Sequence, residues 1–468
     1  MTTPAEPTPA PAPASGAPVV GTPADPTAGL DPKALLRSRQ YISMLVLAAL
    51  LGIPVSAVAY GFLKLVGVCQ QWVFTTLPGD LGLHPVPTWW PIPPTVVAGV
   101  VVSLVIRYLP GRGGHEPADG FQAGGTPEPI DVVSVFLAAI ATLALGIVLG
   151  PEAPLILIGG GLGVLAVRLA ARDAPPMAAT VMAAAGSFAA ISTLLGSPLL
   201  GAFLLLEAAG LAGPTLELVL IPGLLAAGVG SLVMIGLDSW TGWGTLSLAL
   251  PALPQFSHPN GVMFLYALAF GVVAALIGWP IRVGARLLRD VVKPRMLVLT
   301  PVVGLAVGLV AILFTHLTGH PYTFVLFSGQ DQLSPLINQA ADWTVGAVVV
   351  LIACKAVAYS LSLSSFRGGP IFPAMFLGGA LGVACSHLPG LSLVPSIAMG
   401  IGVMAVVMLG LPLTSVLLAT LLLGTDGLAT MPLVIVGVCV AYVANAFLQP
   451  SIDRLTGPAG APAPTPSG

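Results

Sequence analysis

Charged residues are scarce in this chain of 468 residues. Only 7% of them are Asp, Glu, Lys or Arg, whereas soluble domains carry about 25%, and 56% are hydrophobic. The 16 basic residues are dispersed and the net charge is −2, so no patch could follow a phosphate backbone, and a nucleic-acid partner is excluded. A chain with so little charge is predicted to cross a lipid bilayer several times.

Cysteine and histidine are also few. The four cysteines lie within apolar segments and the six histidines are scattered, so we predict neither a metal site nor any other cofactor. The chain contains no H-E-x-x-H motif, no G-x-S-x-G motif and no paired intramembrane aspartates. An enzyme that acts within the bilayer stays an alternative, but it would need a group of this kind, and we predict that the protein is not an enzyme.

The two ends of the chain differ from the rest in composition. Residues 1–30 are rich in Pro, Ala and Thr, residues 456–468 are rich in Gly, Pro and Ala, and both are predicted to be disordered tails. Lys33, Arg37 and Arg39 precede the first long apolar run. Because basic residues flank membrane segments on the inner side, both termini are predicted to be cytoplasmic. The predicted location is a bacterial inner membrane.

Two glycine and proline motifs occur twice. The pattern G-P-x-x-P-x4-G-G-x-L-G begins at Gly150 and again at Gly369, 219 residues later, and L-G-x-P-L begins at Leu195 and again at Leu409, 214 residues later. Ordered motifs that recur at nearly one spacing in an apolar chain predict a duplicated membrane unit, with the transport site at the interrupted segments. The predicted repeats, the second inverted relative to the first, are residues 37–236 and 261–455.

Several apolar segments are short. Residues 197–208 and 412–424 cannot cross a hydrocarbon core that requires about 20 helical residues. The ends of such partial spans must be buried in protein or line an aqueous cavity. We therefore predict an all-α polytopic membrane protein with tilted, partial and broken transmembrane helices, as in transporters.

Glu152 is the most informative ionisable residue. It lies between two prolines and just before a glycine-rich apolar segment, which predicts a helix N-terminus, where free N–H groups favour an anion. Glu152 could simply cap that helix, but an ionisable group at membrane depth is a functional hypothesis. A free anion could displace its carboxylate and a proton could neutralise it, so we predict a gate that also carries protons.

The second copy of the motif lacks the acid. Ile371 fills the position of Glu152, so a helix that begins there would offer its N-terminal amides to an anion. The alternative is a glycine segment that only allows close helix packing. The repeat favours the first interpretation, because two N-termini from inverted halves can converge on one site.

Other polar residues leave alternatives open. Glu207, at the end of a partial span, could relay protons or reach the membrane interface. Lys355 could attract anions or extend its ammonium group to the interface. His115 and Glu116 follow two glycines and are either ligands or solvated loop residues.

On these residues the chain resembles the CLC family of chloride channels and chloride/proton antiporters, over about residues 37–455. Gly150 to Pro154 resembles the family motif G-[KR]-E-G-P, and Glu152 matches its gating glutamate. Gly369 to Pro373 resembles the family motif G-x-F-x-P, with the phenylalanine displaced by one position. The resemblance implies an inverted-repeat fold and a homodimer in which each subunit contains its own anion pathway.

The chain departs from the family at three positions. Gly114 stands where the family has a serine that binds the central anion, and Ile452 lies where a central tyrosine is expected. The inner glutamate of the antiporters matches Ala208, with Glu207 one residue earlier. These departures favour a passive chloride channel gated by Glu152. A proton-coupled chloride/proton antiporter stays the alternative, and an unrelated inverted-repeat transporter of small organic anions is a third hypothesis.

The predicted partners are chloride or other small anions, protons in the coupled alternative, the lipid bilayer and a second copy of the chain. The predicted gating and proton-carrying residues are Glu152 and Glu207. The predicted anion-binding residues are Gly150, Pro151, Ala153, Pro154, Gly369, Pro370, Ile371, Phe372, Pro373, Gly114, His115 and Ile452.

Overall fold

The structure, a computed structural model, describes residues 37–457 except 124, 171–173, 211–213, 243–249, 251–255 and 257. Both predicted tails lie outside the described residues, apart from 456 and 457. The described part is helical and its only bridge of strand type joins Gly150 to Gly369. The helices are α1 (Arg39–Gln71), α2 (Leu77–Asp80), α3 (Ile92–Tyr108), α4 (Asp131–Ala144), α5 (Glu152–Ala170), α6 (Pro176–Leu195), α7 (Pro198–Ala209), α8 (Pro214–Thr241), α9 (Gly261–Val292), α10 (Met296–Thr318), α11 (Gln330–Asn338), α12 (Val345–Ser365), α13 (Ile371–Cys385), α14 (Leu393–Leu409), α15 (Pro412–Leu422) and α16 (Gly427–Thr456).

Long and short apolar helices are combined in the fold. Among the described residues, seven helical segments are long and apolar enough to cross a membrane, and α3, α4, α7, α13, α14 and α15 are shorter. With 12 and 11 residues, α7 and α15 extend only about 17 Å at 1.5 Å per residue. Because the hydrocarbon core is about 30 Å thick, they are partial spans, as predicted.

The middle of the protein is formed by helices that have almost no exposed surface. All residues of α13 from Ile371 to Val383 are buried, as are all residues of α14 from Val394 to Leu409. In contrast, large apolar side chains such as Val46, Leu265 and Phe447 are exposed. A core that is buried on all sides, surrounded by exposed apolar side chains, is the arrangement of a polytopic membrane protein, and it places the first turn of α13 inside the molecule.

Two helix pairs cross at glycines in equivalent ways. A Cβ atom at Gly159 on α5 would overlap the carbonyl oxygen of Gly186 on α6, and a Cβ atom at Gly186 would overlap that of Gly159. Gly378 on α13 and Gly400 on α14 have the same mutual relation. The equivalent glycines are 219 and 214 residues apart, which are the spacings of the two repeated motifs. The two halves of the fold therefore contain the same glycine crossing at equivalent positions, as the repeated motifs predict.

We expect Gly186→Ala to destabilise the protein by about 1–3 kcal/mol, because the added methyl group forces α5 and α6 apart. The melting temperature of the purified protein in detergent measures the change. Gly61→Ala is the matched control, since Gly61 is a glycine inside α1 with open space around its Cβ position. The control should be unchanged or slightly stabilised, because alanine favours a helix over glycine. Equal melting temperatures for the two variants would contradict the close crossing.

Candidate functional site

The two repeats meet where their glycine and proline motifs begin. Gly150 and Gly369 form an antiparallel bridge in which each N–H donates to the other carbonyl oxygen at 2.7 Å. Helix α5 begins two residues later, at Glu152, and α13 begins at Ile371. The structure thus confirms that both motifs start helices, and it brings the two N-termini side by side.

The carboxylate of Glu152 is bound by the helix of the other repeat. Its side chain is fully buried, and its Oε1 accepts a hydrogen bond from the backbone N–H of Ile371. The amides of Phe372 and of Glu152 itself also lie close to the carboxylate. The second oxygen, Oε2, has no hydrogen-bond partner within the described residues. A negative group from the first repeat therefore occupies the helix N-terminus that the sequence leaves without an acid.

The glycines of the bridge leave room for this carboxylate. A Cβ atom at Gly150 would overlap Oε2 of Glu152, and one at Gly369 would overlap the carboxyl carbon. Any other residue at either position would therefore push the side chain away from the Ile371 amide. The requirement for glycine in both motifs follows from the space that the carboxylate needs.

A row of polar residues on α12 supports the loops around this site. Lys355, Tyr359 and Ser362, here called the polar face of α12, are spaced four and three residues apart and are all fully buried. The Tyr359 hydroxyl donates to the carbonyl oxygen of Pro370 at 2.9 Å, and the Ser362 Oγ accepts from the N–H of Val148 at 3.1 Å. Our sequence analysis missed Tyr359 and Ser362, although polar residues at helical spacing in an apolar helix were a usable signal.

Lys355 does not extend to the membrane interface. Its Nζ donates to three carbonyl oxygens of one loop, those of Phe324 at 3.2 Å and of Leu326 and Phe327 at 3.0 Å. It also lies 4.6 Å from the centre of the Phe376 ring on α13. Within the part of the chain that the structure describes, no carboxylate lies within salt-bridge distance of this ammonium group. It is a buried cation that only carbonyl dipoles and an aromatic face compensate.

Gly114 and His115 line cavities rather than the site at Glu152. Both residues, with Leu157, border a cavity of about 340 Å³. His115 also borders a second cavity of about 430 Å³, which reaches Leu205 and Ala209 on α7. At Gly114 φ is +93°, and a Cβ atom would lie 2.6 Å from Cδ1 of Leu157. A serine therefore does not fit at this position without a shift of the neighbouring side chain.

A buried arginine lies beside the His115 loop. Arg367 precedes α13, and its Nε donates to the carbonyl oxygen of Arg112 at 3.3 Å. Its guanidinium is 4.0 Å from the carboxylate of Glu116, which also pairs with Lys293 at 3.0 Å. Burial, and then the charge of Arg367, lower the pKa of His115. Glu116 is partly buried and pairs with both bases, so its interpretation as a solvated loop residue is wrong. The side chain of His115 is exposed, and its interpretation as a ligand or as a solvated loop residue stays a prediction.

Glu207 contacts a different helix N-terminus. Its Oε1 accepts from the N–H of Leu413 at 2.9 Å, and its Oε2 accepts from the N–H and the hydroxyl of Thr414 at 2.7 and 2.6 Å. Glu207, near the end of α7, thus caps α15, the partial span of the other repeat. No hydrogen bond joins it to Glu152 among the described residues, and its role as a proton relay stays a prediction.

Ile452 contributes no polar group to a site. It lies in the last turns of α16 and is fully buried. Its neighbours Ser451 and Asp453 bind Trp279 and Arg286 of α9, which fixes the end of α16 against that helix. No hydroxyl group replaces the missing tyrosine at this position.

The buried carboxylate of Glu152 lies where the N-termini of α5 and α13 meet. Helix N-termini from two repeats that meet inside the molecule are typical of membrane transport proteins with interrupted helices. The chain belongs to the voltage gated chloride channel family, whose model matches residues 98–446.

Two bacterial proteins of the same name are similar to this chain in sequence. The chain is 31% identical over 366 residues to a protein of Salmonella paratyphi A named "Putative ion-transport protein YfeO", which covers 74% of this chain and 81% of that relative. It is 29% identical over 371 residues to the protein of the same name from Escherichia coli O17:K52:H18, with 75% and 81% covered.

Two solved structures have a similar fold at 18% sequence identity. A slow cyanobacterial Cl⁻/H⁺ antiporter superposes with a TM-score of 0.70, over 88% of this chain and 98% of the other. A CLC-type fluoride/proton antiporter superposes with a TM-score of 0.66, over 89% and 98%. The predicted fold class is therefore confirmed.

We expect Glu207→Gln to lower the free energy of unfolding by about 1–2 kcal/mol, because an amide replaces a charged acceptor at the α15 N-terminus. Thermal unfolding of the purified protein in detergent measures this loss of stability. Glu128→Gln is the control and should change little, because Glu128 is an exposed acid outside the helices that pairs with exposed Arg168. If both variants melt at the temperature of the parent protein, the cap does not stabilise α15.

The lowered pKa of His115 predicts a pH dependence of stability. The folded protein disfavours protonated His115, so neutral His115 contributes to stability. This contribution is complete above about pH 6.5, the pKa of an unfolded histidine, and it is lost as the pH falls toward the lower pKa of His115 in the folded protein. Melting temperatures between pH 7.5 and 5 should therefore fall less in His115→Gln than in the parent. The exposed His258→Gln variant is the control and should follow the parent. Parallel curves for His115→Gln and the parent would contradict the shift.

Proposed function

We propose that this protein transports chloride or a similar small anion across a membrane, and that Glu152 is its gate. The observation that carries the proposal is the buried carboxylate bound to the N–H of Ile371. A carboxylate is itself an anion, so amides that bind it can bind a free anion once the side chain is protonated or displaced. Several weak amide contacts of this kind replace part of the hydration of the anion and still allow it to leave.

The sign of the buried charges supports an anion over a cation. Among the described residues, the fully or nearly fully buried charged side chains are Glu152, Arg286, Lys355 and Arg367. Three of these four are basic, and Lys355 has no acidic partner in the part of the chain that the structure describes. A pathway for cations would require mainly acidic buried side chains, since charged groups inside a membrane protein are opposite in sign to the ion that is transported.

We propose proton coupling rather than the passive channel that the missing side chains favoured. The two solved structures of similar fold are named as antiporters of Cl⁻ or F⁻ with protons. His115 offers an acceptor in place of the missing inner glutamate, because it is unprotonated at neutral pH and borders the cavity that reaches α7. In this proposal Glu152 exchanges protons on one side and His115 on the other, whereas Glu207 is held as a cap. A passive channel remains the alternative outcome of the experiment.

We also propose an assembly and a location for the protein. We propose a homodimer in which each subunit has its own pathway, built from the repeats 37–236 and 261–455. We further propose a bacterial inner membrane as the location, with both termini in the cytoplasm. The bacterial relatives support the location, and the basic residues before α1 support the orientation.

We expect Glu152→Gln to transport chloride without moving protons, because the amide can no longer carry a proton and resembles the protonated, open gate. The assay uses purified protein in liposomes loaded with chloride, at a clamped membrane potential. It records chloride efflux and internal pH together. The parent protein should move protons against chloride and should be able to drive them uphill.

Glu128→Gln is the matched control, because Glu128 is an exposed acid that pairs only with exposed Arg168. It should retain coupled transport. Chloride efflux from the parent without proton movement would contradict the coupling but not the anion pathway. Loss of chloride flux in folded Glu152→Gln would identify Glu152 as a structural cap and contradict the gate.

A further inference from the structure

One peptide group at the site is hydrogen-bonded on both sides. The carbonyl oxygen of Pro370 accepts from the Tyr359 hydroxyl at 2.9 Å, and the N–H of Ile371 donates to Oε1 of Glu152. These two atoms belong to the same planar amide, because the Pro370 carbonyl carbon is bonded to the Ile371 nitrogen. This amide therefore connects the Tyr359 hydroxyl, on its carbonyl side, to the Glu152 carboxylate, on its N–H side.

Tyr359 acts on the far side of this amide. In a trans peptide the C=O and N–H bonds point in opposite directions, so the hydroxyl does not lie on the anion side. A donor on the carbonyl oxygen draws electron density from the nitrogen and makes the N–H a stronger donor, and this effect is largest where water is excluded. Tyr359 is fully buried, which meets that condition.

The amide does not depend on Tyr359 for its structure. The Pro370 carbonyl also accepts the N–H of Ala374 at 3.3 Å, within the first turn of α13. Removal of the hydroxyl thus leaves the buried carbonyl with a partner and avoids the full cost of an unsatisfied group. An exchange of tyrosine for phenylalanine should therefore change the polarity of the amide more than its position.

The rest of the chain makes this amide unusually important. Gly114 and Ile452 bring no hydroxyl group where the family resemblance would place one, so backbone amides must carry more of the binding. The side chain of Tyr359 is itself fixed, because Lys355 and Ser362 on the same face of α12 bind neighbouring loops.

We propose that Tyr359 is a positioning residue that sets how strongly the Ile371 N–H binds an anion, whether the Glu152 carboxylate or the transported ion. This inference rests on the proposed function. Because both anions use the same N–H, the hydroxyl strengthens the closed gate and the occupied site together. The strength of the phenol as a donor should then determine the affinity in a graded way.

The test measures chloride affinity by isothermal titration calorimetry in Glu152→Gln protein, where the carboxylate no longer competes. Tyr359→Phe in this background should weaken chloride binding about two- to fivefold, from the loss of the polarising donor. Replacement of Tyr359 by 3-fluorotyrosine, a stronger donor of similar size, should tighten binding. A side chain that only filled space would not produce changes of opposite sign.

Tyr266→Phe is the matched control, because the Tyr266 hydroxyl also donates to a proline carbonyl, that of Pro389 at 3.1 Å, outside the site. It should leave the affinity unchanged. Unchanged affinity in Tyr359→Phe, or weaker binding with fluorotyrosine, would overturn the role of Tyr359 while chloride binding itself persists. If the Glu152→Gln protein binds no chloride and the parent moves none in liposomes, the proposed function fails as well.

Discussion

The contact between the Glu152 carboxylate and the Ile371 amide links the two repeats, and the rest of the site is arranged around it. A fully buried carboxylate is costly unless donors compensate it, and here the donors come from the N-terminus of the other repeat's helix. The bridge at Gly150 and Gly369 brings the helices together, and the absence of side chains there leaves the space that the carboxylate occupies.

The surrounding structure holds these amides in place without filling the site. Helices α5 and α13 are each locked to a neighbour at a glycine crossing, so their N-termini cannot move independently of the core. The polar face of α12 attaches the loops that lead into both helices. Lys355 on α12 and Arg367 before α13 are buried basic residues, and among the described residues neither contacts Glu152. In the proposed function, rigid amides and fixed charges bind a partly dehydrated anion, and the Glu152 side chain is the part that moves.

Two helix N-termini, those of α13 and α15, each bind a carboxylate, and the two carboxylates are held differently. Glu152 lies at the junction of the repeats, and one of its oxygens has no partner among the described residues. In contrast, both oxygens of Glu207 accept hydrogen bonds and the group is partly exposed. A carboxylate with an unsatisfied oxygen is poised to take up a proton or leave, and one with three donors is held. This contrast separates a candidate gate from a structural cap more clearly than their positions in the chain.

Local patterns in the sequence determined the membrane class, the partial spans α7 and α15, the helix starts at Glu152 and Ile371, and the repeat that relates them. These features depend on composition, on proline and glycine, and on spacing along the chain. Only the tertiary structure decided that Glu152 binds the other repeat's helix, that Glu207 caps α15, that Tyr359 binds the Pro370 carbonyl, and that Arg367 binds the loop at Arg112. The Glu152, Glu207 and Arg367 contacts join residues more than 200 positions apart. The physical reason is that a carboxylate accepts a hydrogen bond from any buried N–H that packing brings within reach. The residues next to the carboxylate in the sequence do not show which distant helix will pack against it.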